Sequence, residues 1–201
     1  MKERSGIGQN VSGRHTFLCA MSDPLEGRAI LDVACGFGWF ERYALSRGCE
    51  RIVAIELDPV LVERTRREAP GAEVLLRDAS GDLCDLGTFD VVCAFDFIEH
   101  LPAGEEAGLL RALCDVLRPG GRLLLSIPNR SLLSNLLDPA YYFGHRHYDR
   151  DALAALLERS GFSARRFAFG GGIWEQLSLI WLYFFKWAFA REMPFASFLE
   201  R

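Results

Sequence analysis

The chain has 201 residues, of which 50% are hydrophobic and 25% are charged, with a net charge of −4 and a mean hydropathy of +0.08. This length suits one domain with a full hydrophobic core, and this composition excludes disordered, collagen-like, disulfide-dense and multi-span membrane proteins. The sequence has no cluster of Lys and Arg that could neutralise a phosphate backbone, so we expect no nucleic-acid partner.

The cysteines and the first residues indicate the compartment. The 6 cysteines are scattered singly with no Cys-x-x-Cys pair, which argues against a zinc site and against a redox couple. Such cysteines are typical of small buried side chains in a reducing compartment. The polar residues 1–6 are not followed by an apolar run with a cleavage site, so we expect a cytoplasmic protein without a secretory signal.

Between residues 28 and 169, short apolar runs alternate with longer helical patterns, as in parallel strands joined by crossover helices. The pattern predicts an α/β fold with a doubly wound, Rossmann-like, mostly parallel sheet and helices on both faces. Strands are predicted at residues 29–33, 51–56, 73–77, 89–95, 122–127 and 164–169.

Capping residues predict the positions of the helices. Asp58 and Pro59 begin a helix over residues 60–69. A second helix opens at Leu101 and ends at Pro119, and Asp149 caps a third. Another helical stretch is predicted over residues 39–47.

The chain divides into three regions. Residues 1–27 form a leader with a short helix, residues 28–170 form the main domain, and residues 171–201 form a hydrophobic extension. Within the main domain, residues 129–148 make an aromatic, histidine-bearing connection that is too long for a plain loop. Long loops of this kind are often functional, so we expect this one to cover the substrate.

The most specific motif is Asp32-Val33-Ala34-Cys35-Gly36-Phe37-Gly38, which follows the first predicted strand and precedes a helix. A glycine-rich turn in that position brings backbone close to a ligand. Glu56, 20 residues beyond Gly36, ends the second predicted strand, where an acidic side chain can accept both hydroxyls of a ribose. The spacing therefore predicts an adenosine-type ligand.

Two carboxylates narrow the identity of this ligand. A dinucleotide cofactor requires a third glycine where Glu41 stands, so an NAD-dependent oxidoreductase is disfavoured. Asp32 suits a ligand with a cationic amine better than one with a pyrophosphate.

With these residues, the sequence over 29–169 resembles the class I S-adenosylmethionine-dependent methyltransferases. The resemblance extends to Arg77-Asp78-Ala79, to residues 89–95, to Ile98-Glu99-His100-Leu101 and to residues 117–121. It implies S-adenosylmethionine (SAM) as cofactor, with the methionine end near Asp32 and Phe95, the ribose at Glu56, and the adenine at Asp78 and Ala79. The full set of cofactor-binding residues that it implies is Asp32, Ala34, Cys35, Gly36, Gly38, Glu56, Leu57, Asp78, Ala79 and Phe95.

Each of these residues also has a structural interpretation. Asp32 could form a turn, Asp78 could cap a helix, and Phe95 could be a core aromatic at a strand end. Their common position at carboxyl ends of predicted parallel strands favours ligand binding, because open α/β sheets bind ligands there.

The acceptor of the methyl group is narrowed by the motif after the fourth strand. Phe95-Asp96-Phe97 stands where enzymes that methylate amines of DNA carry an Asn- or Asp-Pro-Pro-aromatic motif. Ser126-Ile127-Pro128-Asn129 instead resembles the small-molecule O-methyltransferases of quinone biosynthesis. We expect a small-molecule or lipid-like acceptor, methylated at oxygen; the alternative is a noncatalytic SAM-binding module or partner subunit with the same fold.

Three histidines are candidates for the chemistry. His145 and His147 close the long loop and are the predicted bases for a hydroxyl acceptor, unless they are structural. Asp96-x-x-Glu99-His100 is similar to a metal-binding pattern of some quinone and small-RNA O-methyltransferases, with Asp in place of the first Glu. We favour a helix start in which Glu99 and His100 are structural, so no metal site is predicted.

Residues 173–189 are too aromatic and too apolar for an ordinary surface helix. Their unbroken apolar run is shorter than the roughly 20 residues that a membrane span requires. One prediction is a helix that lies on the membrane surface, with its tryptophans at the headgroups. The alternatives are a seventh strand over residues 177–185 and a homodimer interface.

Overall fold

The computed structural model describes residues 13–128, residues 146–170 and Trp181. Its helices are α1 (Gly13–Ser22), α2 (Trp39–Ser46), α3 (Pro59–Glu68), α4 (Glu106–Asp115) and α5 (Arg150–Arg159). Its strands are β1 (Ala29–Val33), β2 (Arg51–Glu56), β3 (Glu73–Leu76), β4 (Phe89–Phe95) and β5 (Leu117–Ser126). Short 3-10 turns lie at Cys84–Leu86 and Ile98–His100.

The five strands form one sheet in the order β3-β2-β1-β4-β5, and every pair is parallel. The chain winds outward from β1 to β3 and then returns to the other side of β1 for β4 and β5. The predicted doubly wound fold is thus confirmed, and the strand order reverses between β1 and β4. Ligands of open α/β sheets bind at such a reversal, outside the carboxyl ends of the strands.

Both faces of the sheet are covered. All five residues of β1 are buried, as expected for a central parallel strand. Since successive side chains point to opposite faces, Ile30 packs in a cluster with α1 and α2, and Leu31 packs in a cluster with α4 and α5. Asp32 follows Leu31 and therefore points to the α2 face.

Two aspartates cap helices as predicted. The Asp58 carboxylate accepts a hydrogen bond from the Val60 amide at 2.7 Å and begins α3. The Asp149 carboxylate accepts one from the Ala152 amide at 2.8 Å and begins α5. Each cap satisfies an amide that has no partner inside the helix.

Three predicted elements differ in the structure. The second helix begins at Glu106 rather than at Leu101, because Leu101 precedes a proline and is extended, with φ −68° and ψ 152°. The fifth strand begins at Leu117, which pairs with Phe89 before a register shift. Residues 164–169 form no strand: they pair with none of the described strands, and Phe169 is 66% exposed.

No helix in the described part of the chain is both long enough and apolar enough to span a membrane. The predicted contact of residues 173–189 with a membrane surface lies outside the described residues, apart from Trp181, which is 58% exposed.

Candidate active site

The turn between β1 and α2 forms one side of the candidate site. Ala34, Gly36 and Gly38 have φ angles of 58°, 60° and 83°, a left-handed conformation that glycine adopts at the lowest cost. A Cβ atom on Gly38 would lie 3.0 Å from Cγ2 of Thr65 in α3. A Cβ atom on Gly36 would meet no described atom within 4 Å. Gly38 is thus required by helix packing, whereas the backbone at Gly36 is open to a ligand.

Glu56, at the end of β2, is bound directly to this turn. Its Oε2 accepts a hydrogen bond from the Gly36 amide at 2.9 Å. Its Oε1 accepts from the amides of Leu57 and Asp58 at 2.8 and 3.1 Å. The Thr65 hydroxyl donates to the Gly36 carbonyl at 2.9 Å and holds the turn from the other side. The structure therefore brings the predicted ribose-binding carboxylate and the glycine turn together.

Asp32 is buried beside a second carboxyl group that the sequence analysis did not assign to the site. Asp32 is 2% exposed and Glu41 of α2 is fully buried. Burial, together with the nearby Glu41, raises the pKa of Asp32 well above its usual value. Burial raises the pKa of Glu41 to about 7. At neutral pH these two groups therefore retain a proton between them.

The predicted adenine residues lie after β3. Ala79 is buried, and Asp78 is exposed with its Oδ1 accepting a hydrogen bond from the Ser80 amide at 2.8 Å. This backbone bond lowers the pKa of Asp78. Asp78 thus closes a local turn rather than capping a helix.

Two further predicted cofactor residues differ in exposure. Cys35 is buried within the turn, and burial raises the pKa of its thiol. Leu57 is 66% exposed directly after Glu56. Leu57 therefore presents apolar surface beside the Glu56 carboxylate, whereas the Cys35 side chain is packed inside the turn.

Phe95 ends β4 and packs against α2. Its ring centroid lies 5.3 Å from that of Trp39 and 5.0 Å from that of Phe40. These contacts agree with the interpretation of Phe95 as a core aromatic. The ring is still partly exposed, so it keeps a surface that a ligand can contact.

Asp96 follows Phe95 with a positive φ angle of 51°. Its amide donates to the Ser126 carbonyl at 3.0 Å, and the Ser126 hydroxyl donates to its Oδ1 at 2.7 Å. Arg14 of α1 forms an ion pair with the same carboxylate oxygen. These bonds join the carboxyl ends of β4 and β5 to the first helix.

Helix α1 packs on an aromatic side chain of the glycine turn and on another at the start of α2. The His15 ring lies 4.5 Å from Trp39 and 5.8 Å from Phe37, measured between centroids. Burial lowers the pKa of His15 to about 4, so its imidazole is neutral at physiological pH. Arg14 and His15 are site-flanking residues that sequence reasoning missed, because only tertiary contacts bring α1 to this edge.

The possible metal pattern is not assembled in the structure. Glu99 is buried, and burial raises its pKa to about 7, whereas the neighbouring His100 is exposed. Asp96 is engaged by Arg14 and Ser126. Over residues 13–128 and 146–170, no group of three or more His, Cys, Asp or Glu side chains is placed to hold a metal ion.

The two predicted catalytic histidines lie at the end of residues 129–148. His145 lies outside the described residues, and His147 is buried. The flanking Arg146 forms an ion pair with Glu106, and the Tyr148 hydroxyl donates to Glu106 at 3.0 Å. Arg146 and Tyr148 are therefore anchored to α4. The role of either histidine as a base stays a prediction.

Taken together, the strand reversal, the glycine turn, the acidic group at the end of β2 and the polar residues after β4 define a class of nucleotide-binding α/β enzyme domains. Residues 12–166 match the family model described as "Methyltransferase domain" (Methyltransf_23). The chain belongs to this family, which confirms the resemblance drawn from its motifs.

One curated relative is a ubiquinone biosynthesis O-methyltransferase of Xylella fastidiosa. It is 35% identical over 119 residues, which are 57% of this chain and 47% of the relative. The chain spans about half the length of the curated relatives that it matches, between 46% and 50%.

Solved structures share the fold. A magnesium protoporphyrin IX methyltransferase from Synechocystis, solved with bound SAH, has a TM-score of 0.64 at 19% identity, covering 79% of this chain and 74% of that one. A SAM-dependent methyltransferase from Mesorhizobium loti has a TM-score of 0.59 at 22% identity, covering 75% of this chain and 81% of that one. The architecture is therefore that of a SAM-dependent methyltransferase.

Proposed function

We propose that the chain is a SAM-dependent methyltransferase that acts at oxygen on a small-molecule or lipid-like acceptor. The observation that carries the proposal is the bond between Glu56 and the Gly36 amide, 2.9 Å long. It joins an acidic group suited to ribose hydroxyls to a turn suited to close backbone approach. The family membership and the O-methyltransferase relative support the same activity.

The cofactor site follows from this arrangement. Glu56 accepts the ribose hydroxyls and the open backbone at Gly36 lies against the methionine portion, while Asp32 receives the ammonium group. Asp78 and Ala79 flank the adenine, and the exposed Leu57 packs on it. A carboxylate is the stronger acceptor for an ammonium donor, and the cation in turn favours the ionised form of Asp32.

Methyl transfer requires the acceptor and the methyl group to be aligned and requires no covalent intermediate with the protein. The acceptor oxygen attacks the methyl carbon in line with the carbon–sulfur bond, and the bonding electrons of that bond remain on sulfur, which leaves SAH. The acceptor proton leaves to a base. We assign this step to His145 or His147, because both belong to the segment of the chain that connects the carboxyl end of β5 to α5.

The hydrophobic extension, residues 171–201, bears on where the protein is located in the cell. We place the protein in the cytoplasm, with residues 173–189 on the membrane surface, where a lipid-like acceptor can be delivered. A version that ends at Gly170 is then expected to lose co-sedimentation with liposomes. Loss of a dimer without any change in co-sedimentation would favour a homodimer interface instead.

Cofactor binding and methyl transfer test the proposal separately. Labelled methyl transfer from SAM to a panel of hydroxylated aromatic, quinol-type compounds is measured alongside SAM titration. Glu56→Gln keeps the shape but loses the charge, so we expect SAM affinity to fall about tenfold to a hundredfold. Glu63→Gln, an exposed glutamate on α3, is the matched control and is expected to bind like the unmodified chain. Equal affinity in Glu56→Gln would remove the ribose assignment.

SAM binding without product over a broad acceptor panel would favour the noncatalytic module. Product formation in the unmodified chain, together with loss of product when both histidines are replaced by glutamine, would support the base assignment.

A further inference from the structure

The guanidinium group of Arg146 binds two parts of the chain that follow β4. One of its nitrogens donates to the carbonyls of Ile98, at 3.1 Å, and Leu101, and another pairs with the carboxylate of Glu106. Ile98 begins the 3-10 turn after β4, Leu101 follows that turn, and Glu106 begins α4. This arrangement, the Arg146 clamp, requires the fixed fork of donors that arginine has and lysine lacks.

The carboxylate in the clamp is itself held from several sides. Glu106 is buried, and its Oε2 accepts a hydrogen bond from the Gly104 amide at 2.8 Å. Its Oε1, which pairs with Arg146, also accepts from the Tyr148 hydroxyl at 3.0 Å. Because a buried carboxylate that is hydrogen-bonded on both oxygens has little freedom, it fixes the guanidinium in one place.

The residues on both sides of His147 are bound to different parts of the site. Arg146 is held in the clamp, and the Tyr148 amide donates to the Pro128 carbonyl at 3.2 Å. Pro128 lies two residues beyond Ser126, which ends β5. The buried His147 therefore lies between two anchored neighbours, one at the β4–α4 connection and one at the end of β5.

This region is the acceptor side of the proposed active site. Phe95 ends β4 and is assigned to the methionine end of the cofactor, and Asp96 after it accepts a hydrogen bond from Ser126 at 2.7 Å. The acceptor oxygen has to approach the methyl carbon in line with the carbon–sulfur bond. A base that takes its proton must then stand near the carboxyl ends of β4 and β5.

We propose that Arg146 is a positioning residue for methyl transfer, which acts by fixing the imidazole of His147 beside the carboxyl ends of β4 and β5. This inference rests on the proposed function, and it selects His147 from the two histidines assigned there. A lone pair of the acceptor oxygen forms the bond to the methyl carbon, the electrons of the carbon–sulfur bond stay on sulfur, and the hydroxyl proton moves to an imidazole nitrogen. Arg146 acts only through the place that it gives to this imidazole.

Arg146→Ala tests the positioning. Misplacement of a reacting group by about 1 Å can cost about a hundredfold in rate, so we expect kcat to fall about tenfold to a hundredfold. SAM affinity should be unchanged, because the clamp binds none of the residues assigned to the cofactor. The full chain is assayed with a hydroxylated aromatic compound that the unmodified chain methylates, and kcat is expressed per SAM-binding site from calorimetry. Arg159→Ala, exposed at the end of α5, is the matched control and should keep the unmodified kcat.

Added guanidinium ion separates positioning from a general loss of stability. The ion can enter the space left by Arg146→Ala and donate to the same acceptors, so millimolar guanidinium should restore part of kcat. Sodium chloride at the same concentration is the control for ionic strength. Absence of recovery, or equal recovery with sodium chloride, contradicts the clamp.

His147→Gln shows whether the two residues act together. If Arg146 acts through His147, its removal costs little more once the imidazole is gone, so the double variant should have the kcat of His147→Gln alone. Losses that multiply in the double variant overturn the inference. Full activity of His147→Gln overturns it as well.

Glu106→Gln provides the same test from the other partner, should Arg146→Ala fail to fold. Glutamine keeps the size of the side chain and still accepts a hydrogen bond, but it loses the ion pair with Arg146. A lower kcat with unchanged SAM affinity supports the inference, and an unchanged kcat overturns this inference alone. Absence of methyl transfer by the unmodified chain to any compound of the panel overturns the proposed function and this inference with it.

Discussion

Gly38 packs so closely against Thr65 that a side chain at this position should destabilise the fold. We predict the effect of Gly38→Ala on the free energy of unfolding. The new Cβ would lie 3.0 Å from Cγ2 and 3.1 Å from Cα of Thr65. It would also take a φ angle of 83°, which costs a non-glycine residue about 1–2 kcal/mol. Overpacking adds about 1–3 kcal/mol, so we expect the free energy of unfolding to fall by about 2–5 kcal/mol.

Gly36→Ala is the matched control, because it has a φ angle of 60° but meets no described atom within 4 Å. It should cost about 1–2 kcal/mol, from backbone strain alone. Urea unfolding of the ligand-free protein measures both variants.

A second substitution identifies the clash. Thr65→Ser removes Cγ2 but keeps the hydroxyl that donates to Gly36 at 2.9 Å, so it should recover part of the loss in Gly38→Ala. It should not stabilise Gly36→Ala. Equal losses in the two alanine variants, or an absence of rescue, would refute the account of the β1–α2 turn.

Two further predictions concern stability. Asp149→Ala removes the carboxylate that accepts the Ala152 amide at 2.8 Å; it should lower the free energy of unfolding by about 0.5–2 kcal/mol in urea, and no loss would contradict the cap. Burial holds the pKa of His15 at about 4 in the folded chain, so the unfolded chain takes up a proton first as the pH falls below about 6.5. Stability contributed by His15 should therefore decline between about pH 6.5 and pH 4 relative to His15→Phe, measured by urea unfolding at each pH; parallel curves would contradict the shift.

The sheet was largely predictable because its signals are local. β1, β2 and β4 have the predicted bounds, since each is a nearly continuous aliphatic run buried on both faces. Asp58 and Asp149 cap the predicted helices for a similarly local reason, as a short carboxylate reaches only amides two or three residues ahead.

The departures arise where local patterns are ambiguous. Leu101 and Pro102 were interpreted as the start of the second helix, but Leu101 is extended before the proline, and α4 begins only at Glu106. Residues 164–169 were predicted as a strand because a short apolar run follows the last predicted helix, but a strand also requires a neighbouring strand, which sequence alone does not supply.

The candidate site was predictable as a motif and not as a set of contacts. Asp32, Gly36 and Glu56 were found because their spacing places them at neighbouring strand ends. Glu41 was used only to disfavour a dinucleotide, and its burial behind Asp32 depends on the packing of α2 against the sheet. Arg14 reaches Asp96 from a helix more than eighty residues away in sequence, and no local signal predicts such a contact.

The most direct test of the central claim is a crystal structure of the full chain with SAH. The account predicts the ribose hydroxyls on the Glu56 carboxylate, the ammonium group on Asp32 and the methionine chain along the backbone at Gly36. SAH bound elsewhere, or ribose hydroxyls held by groups other than Glu56, would contradict it.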